Sequence, residues 1–353
     1  MTPSATATNP PAVAAVAAAL AVVVAVAVDS AVGEPPRRIH PVALFGAAVA
    51  PLDRDWRHSD AIGVGIAVAL PLAAAVVLGG TVAVAADVAP RAGGVPLVGV
   101  AVAGVALWVT ISPRMLVAVA KETVALTETD PEAARERVVA LVGRDPDDLS
   151  PADLRSAAVE SAAENLADGV VAPLWWFVAV ATAGVAATGV VPVSTATLAL
   201  GGGSAAAVWA KAVNTLDSML GYRSKPVGRA SARLDDAAMY LPARASAVCL
   251  ALAAGSPDAL RRARPLAREP ASPNSGWPMA TAAVALGVRL EKPGAYVLAG
   301  GAEPPTSATA RAGIRLVRTA GGVAAAVGAG WLFALAAVVG GAGSASGVPG
   351  VVA

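Results

Sequence analysis

The chain has 353 residues, 56% of them hydrophobic and only 14% charged, with a mean hydropathy of +0.65. Soluble domains carry about 25% charged residues, so this balance excludes an ordinary soluble domain and predicts an all-α polytopic integral membrane protein. A net charge of +1 excludes a broadly basic nucleic-acid surface, the single cysteine, Cys249, excludes an internal disulfide, and the two histidines, His40 and His58, offer no zinc-type spacing.

The first ten residues contain no lysine or arginine, and apolar residues then run from Ala12 to Val28. A secretory signal needs a basic start and a defined cleavage region, so this stretch reads as an uncleaved first span. Charge-free segments follow at 61–86, 92–113, 169–210 and 319–353. A spanning helix needs about 20 apolar residues. The 169–210 segment suits two helices joined at Thr188, Gly189, Pro192 and Ser194. About six spans are expected in a single membrane-embedded domain, at 11–28, 62–85, 95–111, 170–187, 193–210 and 321–340.

With those spans, the polar segments 29–60, 112–168 and 211–320 share one side of the membrane and hold every lysine and arginine except Arg91. The positive-inside rule makes that side cytoplasmic, so the expected location is the cell membrane with the polar face inward. The apolar run 245–257 is too short to span and is expected to pack as a core or re-entrant helix. No sustained strand alternation and no internal repeat is visible, and 344–353 reads as a frayed tail.

Within 112–168, Asp130-Pro131 opens an amphipathic helix that Gly143 stops. Ser150-Pro151-Ala152-Asp153 then supplies an N-cap, a proline at the first helical position and a capping carboxylate. The resulting helix is expected to run from Pro151 to about Gly169. On it Glu160, Glu164 and Asp168 recur every four residues and share a face with Ser161 and Asn165 alongside. Like charges at this spacing repel, costing roughly 0.2–0.5 kcal/mol per pair. Three of them beside an apolar segment point to a cation: hard oxygen ligands for magnesium, or a seat for a substrate amine. A solvated helix face is the plain alternative, and spacing alone leaves both open.

Four further polar blocks stand out. Lys211, Asn214, Thr215 and Ser218 share a helical face with Asp217 adjacent, and Gly221-Tyr222-Arg223 follows; a lysine with amides and hydroxyls suits phosphate oxygens, whereas interfacial snorkelling explains only the lysine. Lys225, Arg229, Arg233, Asp235, Asp236 and Arg244 form a third block, in which Arg233 is placed to pair with Asp236, as ordinary surface charges also do. His40 stands with Asp29, Glu34, Pro41 and Gly46 after the first span, where an interfacial histidine is commonplace. Pro273-Asn274-Ser275-Gly276-Trp277-Pro278 is turn chemistry that could also line a pocket. No G-x-x-x-x-G-K-[ST] loop is present, so a nucleotide would bind without that cradle.

In this order the blocks resemble the adenosylcobinamide-phosphate synthase family of cobalamin biosynthesis, the CbiB/CobD proteins. The resemblance covers roughly 29–300 and rests on His40-Pro41-Val42, Gly143-Arg144-Asp145, Glu160-Ser161 through Glu164-Asn165 and Asp168-Gly169, Lys211 with Asn214-Thr215-Leu216-Asp217-Ser218-Met219, Leu234-Asp235-Asp236, Arg244 and Pro273-Asn274-Ser275-Gly276. The chain departs from the family at Glu34, where aspartate is usual, at Trp209, where tyrosine is usual, and at Met239, where asparagine is usual. The thioether of Met239 cannot replace an amide's hydrogen bonds.

The resemblance implies an ATP-dependent ligase joining adenosylcobyric acid to an aminopropanol phosphate, with magnesium accompanying ATP and no cobalt bound by the protein itself. It also makes Glu160, Glu164, Asp168, Asp217 and Lys211 the candidate catalytic residues, the first three also candidate magnesium ligands. Candidate substrate-binding residues are His40, Asn165, Asn214, Ser218, Arg223, Arg233, Asp235, Asp236 and Arg244. Expected partners are the corrinoid, the amino alcohol phosphate, the lipid bilayer and other cobalamin-assembly enzymes, but no nucleic acid. A membrane transporter or a non-catalytic scaffold for corrinoid enzymes is the rival reading.

Overall fold

The protein is a helical membrane bundle, seen in a computed structural model that describes residues 9–88, 90–139, 149–222 and 225–345, the last three by backbone alone. Helix α1 (Pro10–Val32) starts where Asn9 accepts from the Ala12 amide and stops at Gly33, whose φ of 79° breaks the helical run. Ala14, Ala15, Ala17, Ala18, Ala21 and Ala25 on α1 are fully buried. Such small side chains let neighbouring backbones come close, which is how helices associate where lipid removes the hydrophobic drive. Asn9 Nδ2 also donates to the Val339 carbonyl at 2.9 Å, pinning the start of α1 to the last helix.

After α2 (Pro41–Val49) and α3 (Ser59–Val88), helices α4 (Leu97–Trp108), α5 (Pro113–Thr129) and α6 (Pro131–Val138) lead to α7 (Pro151–Leu166). The expected capping box at Ser150 and Asp153 is formed in both directions. Helix α8 (Ala172–Ala186) is followed by a turn at Thr188, Gly189, Pro192 and Ser194, as anticipated, then by α9 (Thr195–Thr197) and α10 (Gly203–Leu220). The chain closes with α11 (Arg229–Ala238), α12 (Tyr240–Ala253), α13 (Asp258–Leu266), α14 (Gly276–Leu286), strands β1 (Arg289–Lys292) and β2 (Tyr296–Ala299), and α15 (Ser307–Ala345).

Among the described residues, five helical stretches are long and apolar enough to cross a membrane: Pro10–Val32, Ser59–Val88, Leu97–Thr129, Pro151–Ala186 and Ser307–Ala342. The expected span 193–210 is helical from Thr195 but runs on through Lys211 to Leu220 and is not among them. The apolar run 245–257 lies largely in α12, which packs on α14 and α15. At 1.5 Å per residue such a helix reaches only about 21 Å, short of the roughly 30 Å hydrocarbon core. The stop at Gly143 and most of the 344–353 tail fall outside the described residues.

Two expectations need correction. Helix α7 does not end near Gly169: Ala167–Val171 form a π turn and the chain continues directly into α8. Glycine stops a helix by turning left-handed, and Gly169 does not; the loosened turn instead frees its carbonyl to accept from the Ser112 amide at 2.9 Å. The carboxylates therefore stand within the continuous membrane-length helix Pro151–Ala186, not on a separate helix ahead of it. Second, a strand pair exists: β1 and β2 are antiparallel, with Arg289 opposite Ala299 and Lys292 opposite Tyr296. Four-residue strands are too short to declare an alternation, and only the buried pair Leu290–Leu298 marks their inner face.

Candidate active site

The π turn places Glu164 and Asp168 against α10 and α11. Helix α10 presents Lys211, Asn214, Asp217 and Ser218 on one face, with Thr215 and Ser218 hydroxyls tied back to the Lys211 and Asn214 carbonyls. The Gly221 amide closes α10 on the Asp217 carbonyl at 2.7 Å. Gly228 lies directly on the Leu220 carbonyl, so a side chain there would collide with backbone. That contact folds α11 back along α10 and brings Asp235 and Asp236 opposite Asp168 and Asp217.

The fourth wall is the turn before α14. Asn274 Nδ2 donates to the Asp236 carbonyl at 2.8 Å, and Arg244 Nη1 donates to Asn274 Oδ1 at 3.2 Å and to the Tyr240 carbonyl at 2.6 Å. The Arg244 guanidinium also stacks on the Tyr240 ring at 3.5 Å. Together these elements enclose a cavity of about 420 Å³ lined by Glu164, Asp168, Asp217, Asp235 and Asp236, with Asn214, Ser218, Ser272, Asn274 and Ser275 between them.

The electrostatics are those of an acidic pocket held by few cations. Lys211 interacts with Asp168, Glu34 and Asp235, which arrive from three different parts of the chain. The Asn214 side chain lies among them, facing Asp168 and Asp235 in the same cavity. Burial, then the charges of Asp168 and Asp217, push the Asp235 carboxyl up to about 8, against the smaller opposing pull of Asn214. Burial raises Asp236, and burial together with Asp236 raises Asp217. Burial also raises Glu34, offset in part by Lys211 and by a hydrogen bond from Ser112.

One oxygen of Asp235, Oδ1, is buried with no hydrogen-bond partner among the described residues. Buried polar atoms are normally paired, so an orphan aimed at a carboxylate cluster fits an incoming cation or donor. The donor set is all oxygen, as magnesium requires, and that ion binds through one or two carboxylates plus waters and substrate oxygens. Among the described residues no three His, Cys, Asp or Glu side chains form a ready-made metal cage. A magnesium ion here would be held by one or two of Glu164, Asp168, Asp217, Asp235 and Asp236 and completed by a ligand's own oxygens.

Of the residues expected from sequence, Glu164, Asp168, Asn214, Asp217, Ser218, Asp235 and Asp236 meet in this cavity, with Lys211 behind it and Arg244 bracing its rim. Glu160 does not reach it: its oxygens accept from Ser156 Oγ and the Tyr296 hydroxyl, both at 2.8 Å, and it is buried. The ladder at four-residue spacing therefore splits, because each step of four drifts around a helix and the hairpin covers the Glu160 end. Asn165 turns back to donate to the Ser161 carbonyl. Arg233 is exposed and forms no ion pair with Asp236; Arg229 instead pairs with Asp60 and Lys225 with Asp53, at 3.4 and 2.7 Å. His40 caps α2, its Nδ1 accepting from the Val42 amide, and burial with the nearby Lys211 charge holds its pKa down. Arg223 and Gly143-Arg144-Asp145 lie outside the described residues.

Sequence reasoning passed over Glu34, Ser272 and Ser275 as site residues. Glu34 sits next to the Lys211 charge and 3.9 Å from His40, and only its place after Gly33-Arg114 packing brings it there. Ser275 falls in the turn that could line a pocket, and Ser272 stands just ahead of it. Met239 packs its thioether on Ala167 and Ala172 at the cavity wall, where it adds no hydrogen bond.

Comparison with known proteins places the whole chain. The family model described as CobD/Cbib protein matches residues 22–338. The probable cobalamin biosynthesis protein CobD of Methanothrix thermoacetophila is 34% identical over 302 residues, covering 83% of this chain and 90% of its own length. The cobalamin biosynthesis protein CobD of Rhodobacter capsulatus is 36% identical over 321 residues, with 84% and 91% coverage. That of Mycobacterium tuberculosis is 39% identical over 275 residues, with 74% and 77% coverage. No solved structure matches the chain. The match spans nearly every helix that builds the cavity: the chain belongs to the CobD/CbiB family.

Proposed function

We propose that the protein acts in cobalamin biosynthesis as an ATP-dependent ligase, joining the free carboxylate of adenosylcobyric acid to the amine of aminopropanol phosphate or a close relative. The observation that carries this reading is the cavity in which five carboxylates from three helices meet Asn214 and the orphaned Asp235 Oδ1. Its volume of about 420 Å³ is that of a small-molecule site. It takes the reacting ends, namely an amine, a carboxylate and phosphates, while the corrin ring stays at the mouth.

A carboxylate is a poor electrophile until one oxygen is made a leaving group. In the proposed reaction that oxygen attacks the γ-phosphorus of ATP, ADP departs and an acyl phosphate results. The amine nitrogen then attacks the acyl carbon, phosphate leaves with the former carboxylate oxygen, and the nitrogen gives up its protons. The substrate amine arrives as an ammonium, which the carboxylates of Asp217 and Asp236 attract. Asp235, its carboxyl raised to about 8, exchanges a proton near neutral pH and is the base the reaction needs. Arg244, at the rim, neutralises phosphate oxygens, Lys211 balances the carboxylates from behind, and Asn214 stands ready to orient a bound ligand. Magnesium, held by the cavity's carboxylates, would supply charge neutralisation across the phosphoryl oxygens.

The asymmetry of lysine and arginine supports a cytoplasmic active face in the cell membrane, where ATP is available. Purified protein in detergent, given adenosylcobyric acid, aminopropanol phosphate and MgATP, should form ADP and amide in equal amounts. Solute movement in liposomes without ATP use would replace this reading with transport, and neither activity would leave a scaffold.

A further inference from the structure

We infer that Tyr296, on the short hairpin, is a positioning residue for the ligation, acting through Glu160 to fix the turn of α7 that presents Glu164 to the cavity. This rests on the ligase reading of that cavity and adds to it a residue outside its walls.

The hairpin is held to α7 at two points. Ser156 Oγ accepts from the Glu291 amide at 2.8 Å and itself donates to Glu160 Oε1 at 2.8 Å. The Tyr296 hydroxyl donates to Glu160 Oε2 at 2.8 Å, with the Met279 sulfur of α14 at 3.6 Å. Both oxygens of a buried carboxylate are thus engaged by partners on α7 and β2. Glu164 lies one turn further along the same helix, on the cavity wall.

The register shows why the hairpin carries this task. Lys292 stands opposite Tyr296 and Leu290 opposite Leu298, so these four side chains share one face of the ribbon. Leu290 and Leu298 are fully buried and anchor that face. The Tyr296 ring continues inward from them and ends on Glu160, while Lys292 at the tip stays exposed and contributes to the charge environment of Glu164. A carboxylate held from both sides costs α7 its freedom to rotate or fray at this turn. Such freedom matters in catalysis, since a displacement of about 1 Å at a reacting group can cost 100-fold in rate.

The test compares Tyr296→Phe, Glu160→Gln and the double variant in the full-length protein in detergent. Tyr296→Phe removes one hydroxyl and leaves the ring. The expected result is a fall in kcat of about 10-fold with the KM for ATP and the thermal midpoint little changed. Because both residues act through one hydrogen bond, the double variant should lose no more than the worse single one. Cleavage by trypsin after Arg289 should also speed up in Tyr296→Phe, whatever the protein's reaction. Wild-type kcat in Tyr296→Phe, or losses that multiply in the double variant, would overturn the inference. Faster cleavage in the variant alongside a wild type that makes no amide would instead overturn the ligase reading and leave the latch standing.

Discussion

Asp235 concentrates the tension of this site. Its carboxyl is raised because ionising it places a charge in a partly dry cavity beside Asp168 and Asp217. The folded protein thus binds a proton there that the unfolded chain has released. By linkage, stability falls as pH rises from the ordinary carboxylate range through about 8, and the contribution is fully present only below that window. Asp235→Asn should therefore stabilise the protein by about 2 kcal/mol at pH 8, after discounting for relaxation and solvent, and by almost nothing at pH 4. Thermal unfolding in detergent at the two pH values checks the sign; equal midpoints for wild type and variant at pH 8 would contradict it. The same variant should lose ligation, the usual exchange of stability for function. Lys211 works in the other direction, as the shared cation of Asp168, Glu34 and Asp235. Lys211→Ala should cost about 3 kcal/mol, because it strands buried carboxylates, measured as a lowered midpoint at pH 7.

At the scale of elements, the site depends on two departures from plain helix. The π turn Ala167–Val171 inserts an extra residue between α7 and α8, and such bulges recur at functional sites. Deleting Val171 should let the turn close as ordinary α-helix, drawing the Gly169 carbonyl back into the helix and off the Ser112 amide, so that Asp168 loses its seat against α10. The expected protein inserts in the membrane and unfolds cooperatively but makes no amide, which activity assays on membranes would show. Gly228 is the second departure, since α11 can lie along α10 only if no side chain meets the Leu220 carbonyl. Gly228→Ala should destabilise the fold by about 2–3 kcal/mol, seen as a lower thermal midpoint. The capping box at Ser150 and the turn around Gly189 were legible in the sequence because they are local chemistry. The π turn was not, because Gly169 reads as a helix stop until Ser112, distant in sequence, is known to take its carbonyl. Nor was the fate of Glu160, which only the hairpin decides.

At the scale of the molecule, hydropathy gave the class and most of the long apolar helices, since long charge-free runs have few other uses. The cavity was legible as a set of residues, Asp168, Asn214, Asp217, Asp235 and Asp236, but not as a volume. Its closing wall at Asn274 and the partner that Glu34 gives Lys211 come from segments that the sequence marks as polar without saying where they pack. Topology follows from charge: a cysteine at Arg262 should be labelled only from the cytoplasmic side and one at Arg91 only from the opposite side, with the native Cys249 buried and silent. Labelling of both from one side would undo the proposed orientation. The central claim is that the carboxylates of this cavity drive ATP-dependent amide formation. It is tested most directly by single-turnover formation of ADP and amide from adenosylcobyric acid, aminopropanol phosphate and MgATP, with wild type beside Asp168→Asn. The account predicts stoichiometric ADP and amide from wild type and a rate at least about 100-fold lower from the folded variant; amide formation by Asp168→Asn at the wild-type rate would contradict it.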